Sequence, residues 1–184
     1  MQGVEDEVEL IRSVARRDRE AFEKLYYRFA PRLGRYAFGM LRRREAVDEV
    51  INDVMLAVWK DAARFDAGAG TVSAWLFGIT HKKVIKMIDR TSKSARELPP
   101  EEVAPEAGEH PERAAIGREL GAAMRGAMAK LPPDQRAVVE LAFGQGQSYQ
   151  EIALALGCPV NTVKTRMFHA RKRLADLLEE SGLP

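Results

Sequence analysis

A chain of 184 residues with 46% hydrophobic and 30% charged side chains has enough apolar material for one ordinary or two small folded domains, which excludes a disordered class. No apolar run approaches the roughly 20 residues of a membrane span, and the acidic start, Met1 to Glu9, lacks the basic end of a signal peptide, so a cytoplasmic location is expected. The net charge of +2 says little by itself, but residues 1–90 balance to +3, 91–117 to −3 and 118–184 to +2, so two mildly basic blocks flank an acidic strip.

In chain order, Val8, Leu10, Ile11, Val14 and Ala15 recur at helical spacing. Phe22, Leu25, Tyr26 and Phe29 continue on a second helix until Pro31, whose fixed φ suits the first turn of a third. That third helix carries Leu33, Tyr36, Ala37, Met40 and Leu41 and ends at the basic run Arg42, Arg43, Arg44. Val47, Val50, Ile51, Val54, Met55, Val58 and Trp59 form another, which stops near Asp66-Ala67-Gly68-Ala69-Gly70. Trp75, Leu76, Ile79, Val84, Ile85 and Ile88 then define a last helix of the block, ending near Arg90.

The strip Thr91–Gly117 holds four prolines and six glutamates with no apolar period, and it reads as a linker. At that length it spans up to about 90 Å, so the blocks are free to act on separated surfaces. Beyond it a helix ends near Leu131, and Pro132-Pro133 open another that buries Val138, Val139, Leu141 and Ala142. Ser148-Tyr149-Gln150-Glu151 is a capping box, a short helix follows to Leu156, and Gly157 suits a left-handed turn. Val163, Met167, Ala170 and Leu174 then place one stripe of a final helix inward. With no sustained period-2 alternation, an all-α protein of two small helical domains is expected, and the second has the helix-turn-helix outline.

Given that inward stripe, the final helix presents Lys164, Thr165, Phe168, His169, Arg171 and Lys172 outward. Lys164, Arg166, Arg171, Lys172 and Arg173 suit phosphates; Thr165, His169 and Phe168 suit base edges or a thymine methyl in a major groove. An arbitrary basic helix face is more often merely solvated, but the capped helix and glycine turn ahead of this one favour DNA. Cys158 has no second cysteine, so it reads as a small buried apolar residue and neither a disulfide nor a metal ligand.

A helix-turn-helix alone leaves many regulator families open. The segment Asp18-Arg-Glu-Ala-Phe22-Glu-Lys-Leu-Tyr26, the run from Val47 to Trp59, Phe65-Asp66, and Trp75-Leu76 before a basic helix together resemble region 2 of the extracytoplasmic-function sigma factors, in the bacterial sigma-70 family. Leu131-Pro132 to Leu174, with Tyr149-Gln-Glu-Ile-Ala153 and Gly157-Cys-Pro-Val-Asn-Thr-Val-Lys164, is similar to their region 4. The resemblance implies region 2 over 1–90, a linker over 91–117 and region 4 over 118–184, in a non-enzymatic factor that binds core RNA polymerase and directs promoter recognition and initiation, as for a stress regulon.

It further implies that Asp48, Glu49, Asn52, Asp53 and Leu56 grip the clamp helices of the polymerase's largest catalytic subunit. A minus-10 reader follows in Asp66, Ala67, Gly68, Ala69, Gly70 and Thr71 with the cations Lys82, Lys83 and Lys86. Trp75, Phe77 and His81 are stacking candidates nearby, with Trp75 more naturally a core residue. The minus-35 reader comprises Ser148, Tyr149, Pro159, Thr162, Lys164, Thr165, Arg166, Phe168, His169, Arg171 and Lys172. Lys82 stands where the family often has Asn, and Lys86 where it often has Asp or Asn, which bears on base preference. The acidic linker resembles the connector that threads towards the polymerase cleft, where its charge would mimic nucleic acid; a tether of set length is the plainer alternative. An anti-sigma protein is an expected partner, and no cofactor is. The rival from another class is a stand-alone helix-turn-helix regulator with an N-terminal sensing or dimerisation domain, which predicts tight duplex binding at a palindrome without polymerase. No phosphate loop, His-Glu-x-x-His pattern or activated nucleophile supports an enzyme.

Overall fold

The computed structural model of the chain describes residues 2–93 and 111–180, and among these every regular element is helical. The first module contains α1 (Gln2–Ala15), α2 (Arg19–Leu41), α3 (Arg44–Asp61), a 3₁₀ turn (Ala62–Arg64) and α4 (Val72–Lys93). The second contains α5 (Pro111–Ala129), α6 (Pro133–Val139), a π-helical turn (Glu140–Gly144), α7 (Tyr149–Leu156) and α8 (Val160–Glu180). Helix therefore reaches into both ends of the segment read as a linker, whose remainder lies outside the described residues, as do the expectations for its path and charge. Among the described residues no helix is long and apolar enough to cross a membrane.

The first module is organised by one stripe. Ala21, Leu25, Phe29, Leu33, Tyr36, Ala37 and Met40 recur every three or four residues on α2 and are all buried. They meet Val50, Val54 and Val58 of α3 and Leu76, Phe77 and Val84 of α4. Fully burying each large side chain contributes about 1.5–3 kcal/mol, which explains a departure from the sequence reading: Pro31 starts no new helix. It sits inside α2 and faces solvent. The lost backbone bond and ring clash cost about 3 kcal/mol, less than the burial gained by keeping Leu25 and Phe29 on one rod with Leu33 and Tyr36.

Polar groups close the turns. Asp18 caps α2 by accepting from the backbone N–H of Ala21 at 3.1 Å. Just before it, Arg17 adopts a left-handed φ of 68°, and its guanidinium donates to the carbonyl of Trp59 and lies over that ring, 5.5 Å from the centroid. Arg42 ends α2, also left-handed at φ 57°, with its N–H on the Phe38 carbonyl. The basic run thus forms the α2–α3 turn.

In the second module, Val163, Met167 and Ala170 of α8 pack with Ile152 and Ala153 of α7 and with Val138 and Leu141. The capping box forms as expected: the Glu151 N–H donates to Ser148 Oγ at 3.3 Å, while the Ser148 N–H donates to Glu151 Oε2 at 2.9 Å. Gly157 takes φ 63° at the end of α7, a conformation that costs a side-chain-bearing residue about 1–2 kcal/mol. Arg136 ties the module's entry together, donating to the carbonyls of Met128 (2.8 Å), Leu131 (3.0 Å) and Ala129 at the end of α5.

The two modules pack directly on each other, whereas the linker argument left them free to stand apart. Helix α7 lies across α4, where a side chain at Gly78 would meet the Ala155 carbonyl oxygen at 3.2 Å. Buried Gln147 donates from Nε2 to Ser73 Oγ at 3.1 Å. Arg136 also reaches across, donating to the Met40 carbonyl at 3.1 Å, and Arg32 donates to the Gln145 carbonyl at 3.3 Å.

Candidate polymerase and nucleic-acid interfaces

Helix α3 buries Val50, Ile51, Val54, Met55 and Val58, and its 3.6-residue period therefore puts Asp48, Glu49, Asn52, Asp53 and Leu56 on the opposite side, where all five are exposed. Two of the carboxylates already have partners on α4. Glu49 pairs with Arg90 at 2.9 Å and Asp53 with Lys83 at 3.0 Å. The Arg90 hydrogen bond holds the Glu49 carboxyl below the usual carboxylate range. Beside them Leu56 is 51% exposed and rims an open apolar hollow with Arg19, Phe22, Met55 and Trp59. The Phe22 and Trp59 rings meet edge to face at 5.1 Å, which fixes the hollow's floor. Sequence reasoning found the acidic side of this surface and missed the hollow, because Phe22 and Trp59 look like core positions.

The segment after the 3₁₀ turn is a tight loop. Asp66 Oδ1 accepts from the Gly68 N–H at 2.8 Å, and Thr71 Oγ1 accepts from the Ala74 N–H at 3.1 Å at the start of α4. Asp66, Ala67, Gly68 and Ala69 are exposed; Gly70 and Thr71 are partly covered. One turn and more along α4, Lys82 and Lys86 are exposed, while Lys83 turns towards Asp53. A cleft of about 290 Å³ lies between the loop and α7, with Phe65, Trp75 and Lys82 on one side and Leu154, Ala155 and Gly157 on the other. Trp75 packs edge to face on Phe65 at 5.7 Å, consistent with a wall of the cleft. Phe77 is no stacking platform, because it is wholly buried against Tyr36.

His81, the third stacking candidate, faces inward. Its Nδ1 lies 2.7 Å from the Tyr36 hydroxyl. Burial, with the nearby Arg166 cation, pushes the imidazole down to about 4, so the ring is neutral at neutral pH. Burial also holds the Tyr36 hydroxyl far above its ordinary range, so that hydroxyl stays protonated. Tyr36 and His81 therefore share a hydrogen bond between two neutral groups, whose donor is set by the imidazole tautomer. Since the folded value lies below the ordinary 6.5, the neutral ring contributes stability that is complete above pH 6.5 and is lost as pH falls towards 4, about 3 kcal/mol in all. The expected NMR titration of the His81 ring has its midpoint near 4; one near 6.5 contradicts the buried neutral assignment.

On α8, burial of Val163, Met167 and Ala170 turns Lys164, Thr165, Phe168, His169, Arg171 and Lys172 to solvent. Phe168 is 65% exposed, with its ring 5.4 Å from that of His169. Asn161 is exposed one turn before Lys164, and an amide there suits bidentate pairing to adenine. Sequence reasoning passed over it, though its spacing from Lys164 was a usable signal. Pro159 is exposed and Thr162 half-buried at the start of the helix. Other sequence candidates have local tasks: Ser148 is committed to the capping box, Tyr149 is half-buried against the core, and Arg166 is turned inward, its Nε 3.1 Å from Asp134 Oδ2. The Arg166 guanidinium also comes within 3.9 Å of the half-buried Cys158 sulfur. Arg171 lies over the exposed Phe143 ring, 5.6 Å from its centroid.

Comparison with known proteins bears on these surfaces. Residues 25–94 match the family model for sigma-70 region 2, and residues 122–174 match that for sigma-70 region 4. The extracytoplasmic-function RNA polymerase sigma factor RpoE of Cereibacter sphaeroides is 31% identical over 172 residues, covering 92% of this chain and 93% of its own. SigM of Mycobacterium tuberculosis, of the same type, is 35% identical over 172 residues, covering 94% of this chain and 84% of its own. Among solved structures, CnrH in complex with the cytosolic domain of CnrY has a TM-score of 0.72 at 26% identity, covering 95% of this chain and 97% of that one. The sigma factor RpoE of Bartonella quintana, in complex with the anti-sigma factor NepR, shares the fold with a TM-score of 0.67 at 24% identity, covering 86% and 96% of the two chains. The two motif-bearing helical modules, in this order along one chain and matched over nearly its whole length by such relatives, identify the chain as a member of the extracytoplasmic-function sigma factors of RNA polymerase.

Proposed function

We propose that this sigma factor divides its work among three surfaces, with residues 1–90 serving the polymerase and the minus-10 element and residues 118–184 the minus-35 element. The mixed acidic and apolar face of α3, from Asp48 to Leu56, seats on a basic helical surface of the polymerase clamp, with the Phe22–Trp59 hollow taking an apolar side chain from it. The exposed Asp66–Thr71 loop encloses an unstacked base of the opened promoter, while Lys82 and Lys86 hold that strand's phosphates. The outward face of α8 enters the major groove at the minus-35 element. Such a factor acts without catalysis of its own, in the cytoplasm where polymerase and promoters are, and an anti-sigma protein holds it in check, as one is bound to the related chain from B. quintana.

The observation that carries the DNA half of this reading is the stripe of Lys164, Thr165, Phe168 and Lys172, exposed opposite a fully buried stripe on a helix held by a capped partner and a left-handed glycine. A good base contact is worth about 1–3 kcal/mol, so Lys164→Ala is expected to lower run-off transcription from the cognate promoter by about 5- to 150-fold at limiting sigma factor. The same variant should retain core polymerase binding, because Lys164 lies on the module opposite α3. Undiminished transcription removes Lys164 from the reading set.

A further inference from the structure

We propose that Asn161 specifies an adenine in the minus-35 duplex, through a side-chain amide that the fold leaves unengaged in the first turn of α8. The inference rests on the assignment of α8 to the major groove. At 3.6 residues per turn, the stripe of Val163, Met167, Ala170 and Leu174 fixes which direction of the helix faces inward. Within about 30° of the opposite direction lie Asn161, Thr165 and Lys172, all exposed. Phe168 and His169 flank them at about 50° on either side, and Lys164 stands nearer to about 90°. The residue at the start of this face is therefore the one that the face's cations and aromatic ring do not account for.

In the major groove adenine presents N7 as an acceptor beside the N6 amino donor, whereas guanine offers two acceptors, cytosine a donor and thymine an acceptor with a methyl group. A side chain that picks out adenine must supply a donor and an acceptor together. Lys172 only donates, and it stands about 16 Å along the axis from Asn161, past the N-terminal turns with which such a helix meets base edges. Thr165 spends its hydroxyl proton within the helix, donating from Oγ1 to the Asn161 carbonyl at 3.0 Å. Phe168 has no polar atom, and the His169 ring lies 5.4 Å from it. Asn161 carries both functions on one planar amide, and among the described residues no hydrogen bond engages either of them. The backbone carbonyl of Asn161 is held by Thr165 while its side chain is free to turn outward, which anchors the residue without occupying its amide.

The test is initiation by core polymerase with the full chain on a start-site fragment whose upstream duplex element is randomised, the active templates being sequenced. Four forms are compared: the unchanged protein, Asn161→Ala, Asn161→Asp and Lys164→Ala. The carboxylate of Asn161→Asp only accepts, which suits the N4 amino group of cytosine. A negative charge in the first turn also favours the helix, so this variant keeps its fold, which a thermal melt checks. The unchanged protein is expected to favour adenine at one position by about 5- to 150-fold over the other bases. Asn161→Ala should make that position indifferent and leave the others as they were, and Asn161→Asp should turn its preference to cytosine. A structural role or a phosphate contact moves no single-base preference. Preferences unchanged in both Asn161 variants overturn the inference, and so does a loss spread evenly over all positions. Lys164→Ala separates the two levels of failure. If it weakens initiation while the Asn161 variants keep every preference, the adenine assignment alone fails; if none of the three changes anything, the assignment of α8 to the duplex fails with it.

Discussion

Leu56→Asp is expected to lower the affinity for core polymerase by about 30-fold or more while the free protein melts as before. Leu56 is half exposed at the rim of the apolar hollow, so its loss removes little core packing. On the proposed interface the same side chain is an apolar anchor, and truncating such anchors costs about 2 kcal/mol or more. The substitution also separates two contributions. It adds negative charge to a face that already carries Asp48, Glu49 and Asp53, which a basic partner tolerates, so a loss reports on the hollow. The measurement is an anisotropy titration of labelled protein with core polymerase at two salt concentrations. Retained affinity at both contradicts the placement of the polymerase on this face. Because Glu49 and Asp53 are paired with Arg90 and Lys83 in solvent-screened surface bonds, a basic partner can draw them away at little cost.

Arg136→Leu is expected to destabilise the second module by about 3 kcal/mol. The guanidinium donates to the Met128 and Ala129 carbonyls at the end of α5, where a cation also complements the helix dipole, and to the Leu131 carbonyl just beyond, and hydrogen bonds to a charged group contribute about 1.5–3 kcal/mol. A leucine takes the donor away from the Ala129 and Leu131 carbonyls, while Met128 keeps its bond from the Leu131 N–H at 3.2 Å. Both tryptophans, Trp59 and Trp75, belong to the first module. Urea unfolding followed by tryptophan fluorescence should thus shift little, while far-ultraviolet dichroism acquires an earlier transition. Coincident, unshifted transitions would show that Arg136 does not hold α5. Its bond to the Met40 carbonyl adds a second effect, a weaker clasp between the modules.

The contrast between what was legible in the sequence and what was not follows the range of the interactions. Ser148, Glu151 and Gly157 act within a turn, and they build the cap and the left-handed stop that their spacing announces. The outward stripe of α8 and the exposed face of α3 follow equally from helical period. Pro31 misled because local preference was outweighed by the single buried stripe that runs through α2. The π-helical turn at Glu140–Gly144 has no local signal either; it begins at half-buried Glu140, whose carboxylate oxygens lie where a side chain at Gly39 would go. Burial holds that carboxyl above its usual range despite Arg136 and Arg42 nearby. Gly39, Gly70 and Gly78 read as unremarkable in one dimension, and only the apposed module gives their missing side chains a purpose. Arg166 and Lys83, cations in sequence terms, are drawn inward by Asp134 and Asp53. Lys82 and Lys86 therefore remain as the exposed cations of α4 nearest the loop.

The most direct test of the whole account is transcription in vitro from a genomic fragment library by core polymerase with and without this protein, with the RNA 5′ ends sequenced. The account predicts discrete start sites that depend on the protein and share two separated upstream elements. Start sites no different from those of core polymerase alone, with both proteins active and folded, would contradict it.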